Sequence, residues 1–296
     1  MTYSIVARDP RTGELGVAVQ SHWFAAGIVC WARAGVGAVA TQAMALVEHG
    51  PLGLELMADG ASAAEALAAR LRADADREHR QVAMVDRHGR VAAHTGSSCI
   101  REAGHRTGDG FSCQANMMRR PTVWDAMAEA FAGSSGPLAD RLLVALEAAE
   151  AEGGDIRGRQ AARLLVVRAE ATERPWQDVL VDLRVDDHPD PLGELRRLLT
   201  LHRAYERLER AEELELAGDL EGAFAERRSA MALAPNNPEI AFWTAVSLAV
   251  ADRAQEARAA LAIALPADPG WAELLRRLGD QRLVGLSPEL VSSLLS

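Results

Sequence analysis

Thr2-Tyr3-Ser4-Ile5-Val6-Ala7-Arg8 is an alternating, β-branched run that ends at Asp9-Pro10-Arg11-Thr12-Gly13 and is answered by Glu14-Leu15-Gly16-Val17-Ala18-Val19-Gln20. Two strand-forming runs around a turn rich in Pro and Gly predict a β-hairpin at the head of the chain. The first residue of that hairpin is chemically distinctive. Removal of Met1, plausible before so small a side chain, leaves Thr2 with a hydroxyl and a free α-amine, a nucleophile that carries its own base. Many chains begin Met-Thr without such chemistry, so the rest of the sequence has to decide.

Further strands follow. Ile28 to Trp31 and Val36 to Thr41 form a second pair around Arg33-Ala34-Gly35, and Gln81 to Asp86 and Arg90 to Thr95 pair across His88-Gly89. Between them Leu52 to Met57 and Ala61 to Leu71 read as helix, with Ser62 and Glu65 in capping-box spacing. Phe111 to Cys113 is a short strand. From Pro121 the apolar period becomes helical over Val123 to Phe131 and Leu138 to Glu152, and Gly153-Gly154 stops the second helix. Ala162 to Arg168 and Asp178 to Val185 return to strand, and Pro191 to Leu201 is a helix entered through Asp190-Pro191. Strands, helices and strands without regular βαβ alternation predict an α+β fold. Ile28-Val29-Cys30-Trp31 and Leu164-Leu165-Val166-Val167 are apolar throughout, which predicts burial on both faces, as in stacked sheets covered by helices.

The tail is built differently. Ala217-Gly218-Asp219-Leu220-Glu221-Gly222-Ala223 recurs as Ala251-Asp252-Arg253-Ala254-Gln255-Glu256-Ala257, and Ala223, Ala230 and Pro235 find partners in Ala257, Ala264 and Pro269, each 34 positions on. That period resembles a tetratricopeptide repeat, with two units and a partial helix from Trp271, although Arg227 stands where the repeat usually has an aromatic. The expected domains are 1–203 and 204–296. Helix pairs this short bury little alone and are expected to dock on the main domain or on a second copy.

Composition narrows the function classes. The net charge of −10 argues against nucleic acid and anionic membranes as partners, and from Ala204 onward 15 acidic residues face 9 basic ones. No apolar run is long enough to span a membrane, and the N-terminus does not read as a secretory signal, so a cytoplasmic protein is expected. All 32 basic residues are arginine. With no lysine, Schiff-base lysine enzymes, Ser-Lys dyads and P-loops are excluded. Cys30, Cys99 and Cys113 lack metal or redox spacing and read as buried free thiols.

Four motifs in order, Thr2-Tyr3-Ser4-Ile5-Val6-Ala7-Arg8-Asp9, Gly35-Val36-Gly37-Ala38-Val39-Ala40-Thr41-Gln42, Gly104-His105-Arg106-Thr107-Gly108 and Asp182-Leu183-Arg184-Val185-Asp186-Asp187-His188, resemble the DUF1028 family over about residues 1–203. That family is uncharacterised and is similar to the N-terminal-nucleophile (Ntn) hydrolases. The resemblance implies an αββα sandwich with Thr2 as the mature N-terminus. Within that frame Thr2 Oγ1 attacks an amide-like carbonyl while its α-amine takes the proton. Proteasome-type relatives place a lysine beside the threonine; this chain has none, and arginine cannot serve as a base.

Oxyanion donors are expected from Gln114-Ala115-Asn116, with Asn116 donating through its side-chain amide, and in second place from backbone N–H groups near Thr41 and Gln42. A turn or cap is the alternative use of Asn116. His105 can orient substrate or tune the amine, or simply hydrogen-bond. Arg157 in the glycine-flanked loop Gly154 to Gln160 can fork onto a substrate carboxylate, or serve as surface charge. Asp182, with Asp186, Asp187 and His188, suggests a metal by residue type, yet Asp186 and Asp187 point to opposite sides of a strand and Asp190 is a natural cap, so capping and ion pairs to Arg184 or Arg196 are expected and Asp182 is retained as a substrate-side residue. No metal or cofactor is expected. The expected function is an Ntn-type hydrolase of a small-molecule amide or ureide, in a homo-oligomer; the alternative is an inert scaffold that binds protein partners through its tail.

Overall fold

The computed structural model describes residues 2–296, so Met1 and its expected removal lie outside the described residues. Residues up to Arg197 form one compact unit and Leu198–Ser296 a second.

The first unit opens with the expected hairpin, β1 (Thr2–Arg8) and β2 (Leu15–Ser21). Asp9 sets its turn by accepting the Arg11 and Thr12 N–H groups, and Gly13 takes the left-handed φ of 76° that closes it. Next come β3 (Cys30–Arg33) and β4 (Gly37–Ala43), then α1 (His49–Ala58) and α2 (Ala63–Arg72), whose Ser62–Glu65 capping box forms as expected. β5 (Arg80–Asp86) and β6 (Val91–Thr95) make the third hairpin. The Asp86 carboxylate holds its turn through the His88 and Arg90 N–H groups. β7 (Gly104–Gly108) and β8 (Phe111–Asn116) precede α3 (Val123–Gly133) and α4 (Leu138–Ala151), and β9 (Ala161–Val167) and β10 (Val179–Val185) complete the strands.

The strands pair antiparallel throughout into a six-stranded sheet, β10-β9-β2-β1-β8-β7, and a four-stranded sheet, β3-β4-β5-β6. The sheets face each other across Val6, Val17, Val19, Ala38, Ala83 and Val85. Side-chain alternation sends Val39, Val82 and Met84 to the other side of the small sheet, against Leu54, Met57 and Leu67 of α1 and α2. α3 and α4 pack on the large sheet. The protein is thus a mixed α+β chain with two antiparallel sheets and a helical C-terminal region.

Three sequence readings need correction. Ile28 and Val29 lie in a 3-10 turn, Ala26–Val29, entered through left-handed Ala25 (φ 52°), and β3 begins only at Cys30. Arg163 donates through Nη1 to the Gly27 and Cys30 carbonyls, which replaces strand pairing there, and Ile28 is half exposed rather than doubly buried. Gln114, Ala115 and Asn116 belong to β8 instead of following it. The helix from Pro191 runs past Leu201 to Leu216, because no Gly or Pro follows Gly193 before Gly218. By contrast, Leu164 to Val167 are buried, as expected for β9 between two neighbours.

α5 (Pro191–Leu216) begins in the first unit and ends in the second, where α6 (Leu220–Leu233), α7 (Pro238–Val250), α8 (Ala254–Ala264), α9 (Gly270–Asp280) and α10 (Pro288–Leu295) follow. Phe242, Ala245, Ala249, Ala257, Leu261 and Leu275 form the centre of their core. The small side chains let α7 and α8 approach closely. No helix of the described residues is long and apolar enough to cross a membrane.

Candidate functional site

β1 is internal to its sheet, and Thr2 is its first residue. β8 ends opposite it at Asn116, and on the other side Thr2 Oγ1 donates to Ser21 Oγ at the end of β2, 3.0 Å away. Alternation turns Thr2 and Ser4 towards the small sheet and Tyr3 the other way, where its hydroxyl donates to Glu150 of α4 at 2.8 Å. Burial, with the Glu150 charge second, pushes the Tyr3 phenol well above its usual range.

Between the sheets at this end lies a buried amide and hydroxyl network. Gln42 Nε2 reaches the Thr2 carbonyl at 3.1 Å and Gln81 Oε1 at 2.6 Å, while Gln42 Oε1 accepts from Ser4 Oγ at 2.7 Å. Asn116 Nδ2 donates to the same two acceptors, Thr2 O at 3.3 Å and Gln81 Oε1 at 3.0 Å. Gln114 donates to Ser4 Oγ at 2.6 Å and accepts from Ser112. Gln81 Nε2 is shared among Thr95 Oγ1, the Gly104 carbonyl and the Ala115 carbonyl. Thr95 then shares a 2.8 Å hydrogen bond with His105 Nδ1. Partial burial, with the His94 ring second, holds the His105 pKa below its ordinary value. Thr95 and His105 line an open cavity of about 570 Å3 that also includes Ser97, Cys99 and Arg101.

The structure therefore gathers Thr2, Gln42, Gln114 and Asn116 in one network with His105 at its outer end. Asn116 and Gln42 hold the carbonyl of residue 2, so both fix the peptide plane from which Oγ1 projects. Thr41 is not among them. It neighbours Gln42 on a strand, so its side chain faces α1 and α2, where its buried hydroxyl has no hydrogen-bond partner among the described residues. Arg157 closes on its own loop, donating through Nε and Nη2 to the buried Asp155 carboxylate at 3.1 and 2.8 Å. Asp182, on β10 and separated from β1 by β9 and β2, takes a bidentate pair from Arg163 at 2.8 and 3.0 Å. Of its neighbours, Asp186 meets Arg184 as expected, while Arg196 pairs with Glu147. Among the described residues no cluster of His, Cys, Asp and Glu is arranged to hold a metal.

Sequence reasoning missed Ser4, Ser21, Gln81 and Asp155. The first three are polar residues in otherwise apolar strands, and that contrast was the available signal. Asp155 accepts the His22 N–H beyond β2, and its loop pairs with Met117, Met118 and Arg119 beyond β8. It laces together the two strand exits that flank Thr2. Backbone strain gathers there too: Ala43, directly after Gln42, has φ 69°, and Met117, directly after Asn116, has φ 56°.

Residues 2–195 match the family described as "Family of unknown function (DUF1028)". This chain is a member of the DUF1028 family. Protein SPO2555 from Silicibacter pomeroyi, a crystal structure assigned to the same family, is 34% identical, with a TM-score of 0.60 over 67% of this chain and 84% of that one. No curated protein matches the chain. The DUF1028 match ends where α5 begins its course, so the C-terminal helices lie beyond it.

Proposed function

We propose that this DUF1028 protein is an Ntn-type hydrolase that cleaves a linear amide or ureido bond of a small polar metabolite, with Thr2 as nucleophile after loss of Met1. One observation carries the reading: Thr2 opens an internal strand, and amides from β4 and β8 both grip its carbonyl. The two facing sheets with helices on their outer sides support an αββα sandwich of Ntn type.

In this reading the free α-amine accepts the Oγ1 proton, directly or through a water, while Oγ1 bonds to the substrate carbonyl carbon. The carbonyl oxygen takes the negative charge. When the tetrahedral species collapses, the C–N bond breaks, the leaving amine takes the proton, and a Thr2 ester remains for water to hydrolyse. Ser21 aims the nucleophile from the start, since Oγ1 already donates to it. Asn116, Gln42, Gln114 and Gln81 are positioning residues, His105 stands on the substrate side, and Arg157 and Asp182 stiffen the surroundings. The reading keeps the protein cytoplasmic and homo-oligomeric, with the tetratricopeptide-like tail open to a protein partner.

A second reading has its own support. Thr2 is only 3% exposed, and Asn116 Nδ2 is directed to Thr2 O and Gln81 rather than towards Oγ1. It makes the domain an inert scaffold and the tail the functional part. Intact-mass measurement of the purified protein, then hydrolysis of an amide and ureide panel by wild type and Thr2→Ala, separates the two. Loss of Met1 with activity abolished in Thr2→Ala is expected. Retention of Met1, which blocks the base, or full activity in Thr2→Ala overturns the Ntn reading.

A further inference from the structure

The end of the two sheets remote from Thr2 carries a cavity of about 620 Å3, walled by the turns that join the strands. β1 begins at Thr2 and reaches this cavity at Arg8, roughly 20 Å along an extended strand. Arg8 is joined there by Arg33 at the end of β3 and by Arg87 and His88 in the turn between β5 and β6. The turns fit closely. The Arg8 side chain passes between two left-handed glycines: a Cβ at Gly89 would stand 3.7 Å from its Cδ, and one at Gly13, itself in the cavity wall, 3.4 Å from its Nη2. A Cβ at Gly35 would stand 3.3 Å from the Ala171 nitrogen, and the Arg87 N–H donates to the Val36 carbonyl at 2.9 Å. The arginines are therefore carried on a framework of interlocked turns.

Arg8, Arg33 and Arg87 have no carboxylate partner among the described residues; Arg87 Nε donates to His88 Nε2 at 3.3 Å. Acids are not scarce, since the chain has 42 of them against 32 arginines. In the neighbouring cavity beside Phe111 the arginines are matched, Arg106 with Glu129 and Arg141 with Asp9. Here, among the described residues of the lining, three guanidinium charges face one carboxylate, exposed Glu170. A cleft lined by one sign of charge concentrates the opposite ion. The donor set selects which one. Guanidinium forks match phosphate and carboxylate oxygens, and forks arriving from separate turns can share the oxygens of a tetrahedral phosphoryl group. Its charge of about −1.5 to −2 at neutral pH also suits the excess, whereas a flat monocarboxylate offers one edge and less charge. We propose that this cavity binds a small metabolite through a phosphate monoester group held by Arg8, Arg33 and Arg87. The site does not depend on Thr2 being a nucleophile.

The test is calorimetric titration of the full chain with glycerol 2-phosphate, beside succinate and acetate at the same ionic strength. Saturable binding of the phosphate ester is expected, weaker for succinate, absent for acetate and unchanged in Thr2→Ala. The double variant Arg33→Met/Arg87→Met should weaken it at least about tenfold. Both positions are exposed, so the thermal unfolding curve should not move. Arg228→Met/Arg282→Met removes the same charge from exposed positions in the C-terminal region and should leave the affinity within about twofold. No saturation at millimolar ester, succinate or acetate binding as tightly as the ester, ester binding kept by Arg33→Met/Arg87→Met, or equal losses in the two double variants overturns the proposal.

Discussion

The space between the two sheets has two ends built on opposite principles. Around Val6, Val17 and Val85 it is filled with aliphatic side chains, whereas four residues back along the same β1 strand it is filled with carboxamides and hydroxyls from Ser4, Gln42, Gln81, Gln114 and Asn116. Both ends are equally dry. Aliphatic packing tolerates a swap of similar volume at little cost, while an amide network is worth having only when each member finds its partners. The apolar end holds the sheets together; the amide end fixes how they are placed. That the second kind of construction stands at Thr2 is what the nucleophile proposed here would require.

The sharpest way to break this contrast is Gln81→Leu. It leaves donors of Gln42 and Asn116 without their shared acceptor, and should lower unfolding free energy by about 3 kcal/mol. A urea midpoint within error of wild type would show that the network is slack. The double variant Gln42→Leu/Gln81→Leu should cost less than the sum of the two singles, since each change removes a partner the other would orphan. At the apolar end Val17→Ala should cost about 2 kcal/mol through lost burial and a small cavity, with no such coupling to Gln81. Coupling of 1 kcal/mol or more between these positions would erase the distinction between the ends.

The smallest expected effect is a pH dependence on the outer side of the small sheet, where fully buried His49 of α1 meets Asp74 at 3.1 Å and Asp74 also receives Arg80 at 2.9 Å. Burial is the largest influence on His49 and, with the Arg70 and Arg80 charges, outweighs Asp74 to hold its pKa below the ordinary imidazole value. Burial works against Asp74 too, but the hydrogen bonds from Arg80, the Asp76 N–H and His49 bring its pKa to about 2. The unfolded chain therefore binds the His49 proton more readily. The His49 contribution is complete above about pH 6.5 and declines below it, by at most about 1.4 kcal/mol per pH unit. Thermal unfolding at pH 7.5 and 5.5 reads this out, and His49→Gln should flatten it. An unchanged slope in that variant would place the titration elsewhere.

What the sequence disclosed follows from how far each signal reaches. The first hairpin, the Ser62 capping box and the helices α3 and α4 were legible because their determinants lie within a few residues of one another. Thr2 stands out in the sequence because the chemistry proposed for it depends on its position. Gln81 was not. Its partners Gln42, Asn116 and Thr95 lie 14 to 39 residues away, on strands of both sheets, and its contrast with the apolar strand around it does not say which partners it takes. Ile28 to Trp31 misled for a related reason: an apolar run looks like a doubly buried strand, but a guanidinium from Arg163 took over the backbone pairing at its start. Arg157 and Asp182 are capable by residue type, yet each is already engaged, by Asp155 and Arg163, in pairs that lie outside what their local sequence shows.

The left-handed residues at Ala43 and Met117 bear on how this protein would respond to engineering. Each holds a side-chain-bearing residue in a conformation that glycine adopts freely, at a cost of order 1 kcal/mol. A screen for heat resistance alone would thus favour glycine at these two positions early, and would be editing the residues that follow Gln42 and Asn116. Thermostability and the placement of Thr2 are in competition at those two points, and selection for one is a direct probe of the other.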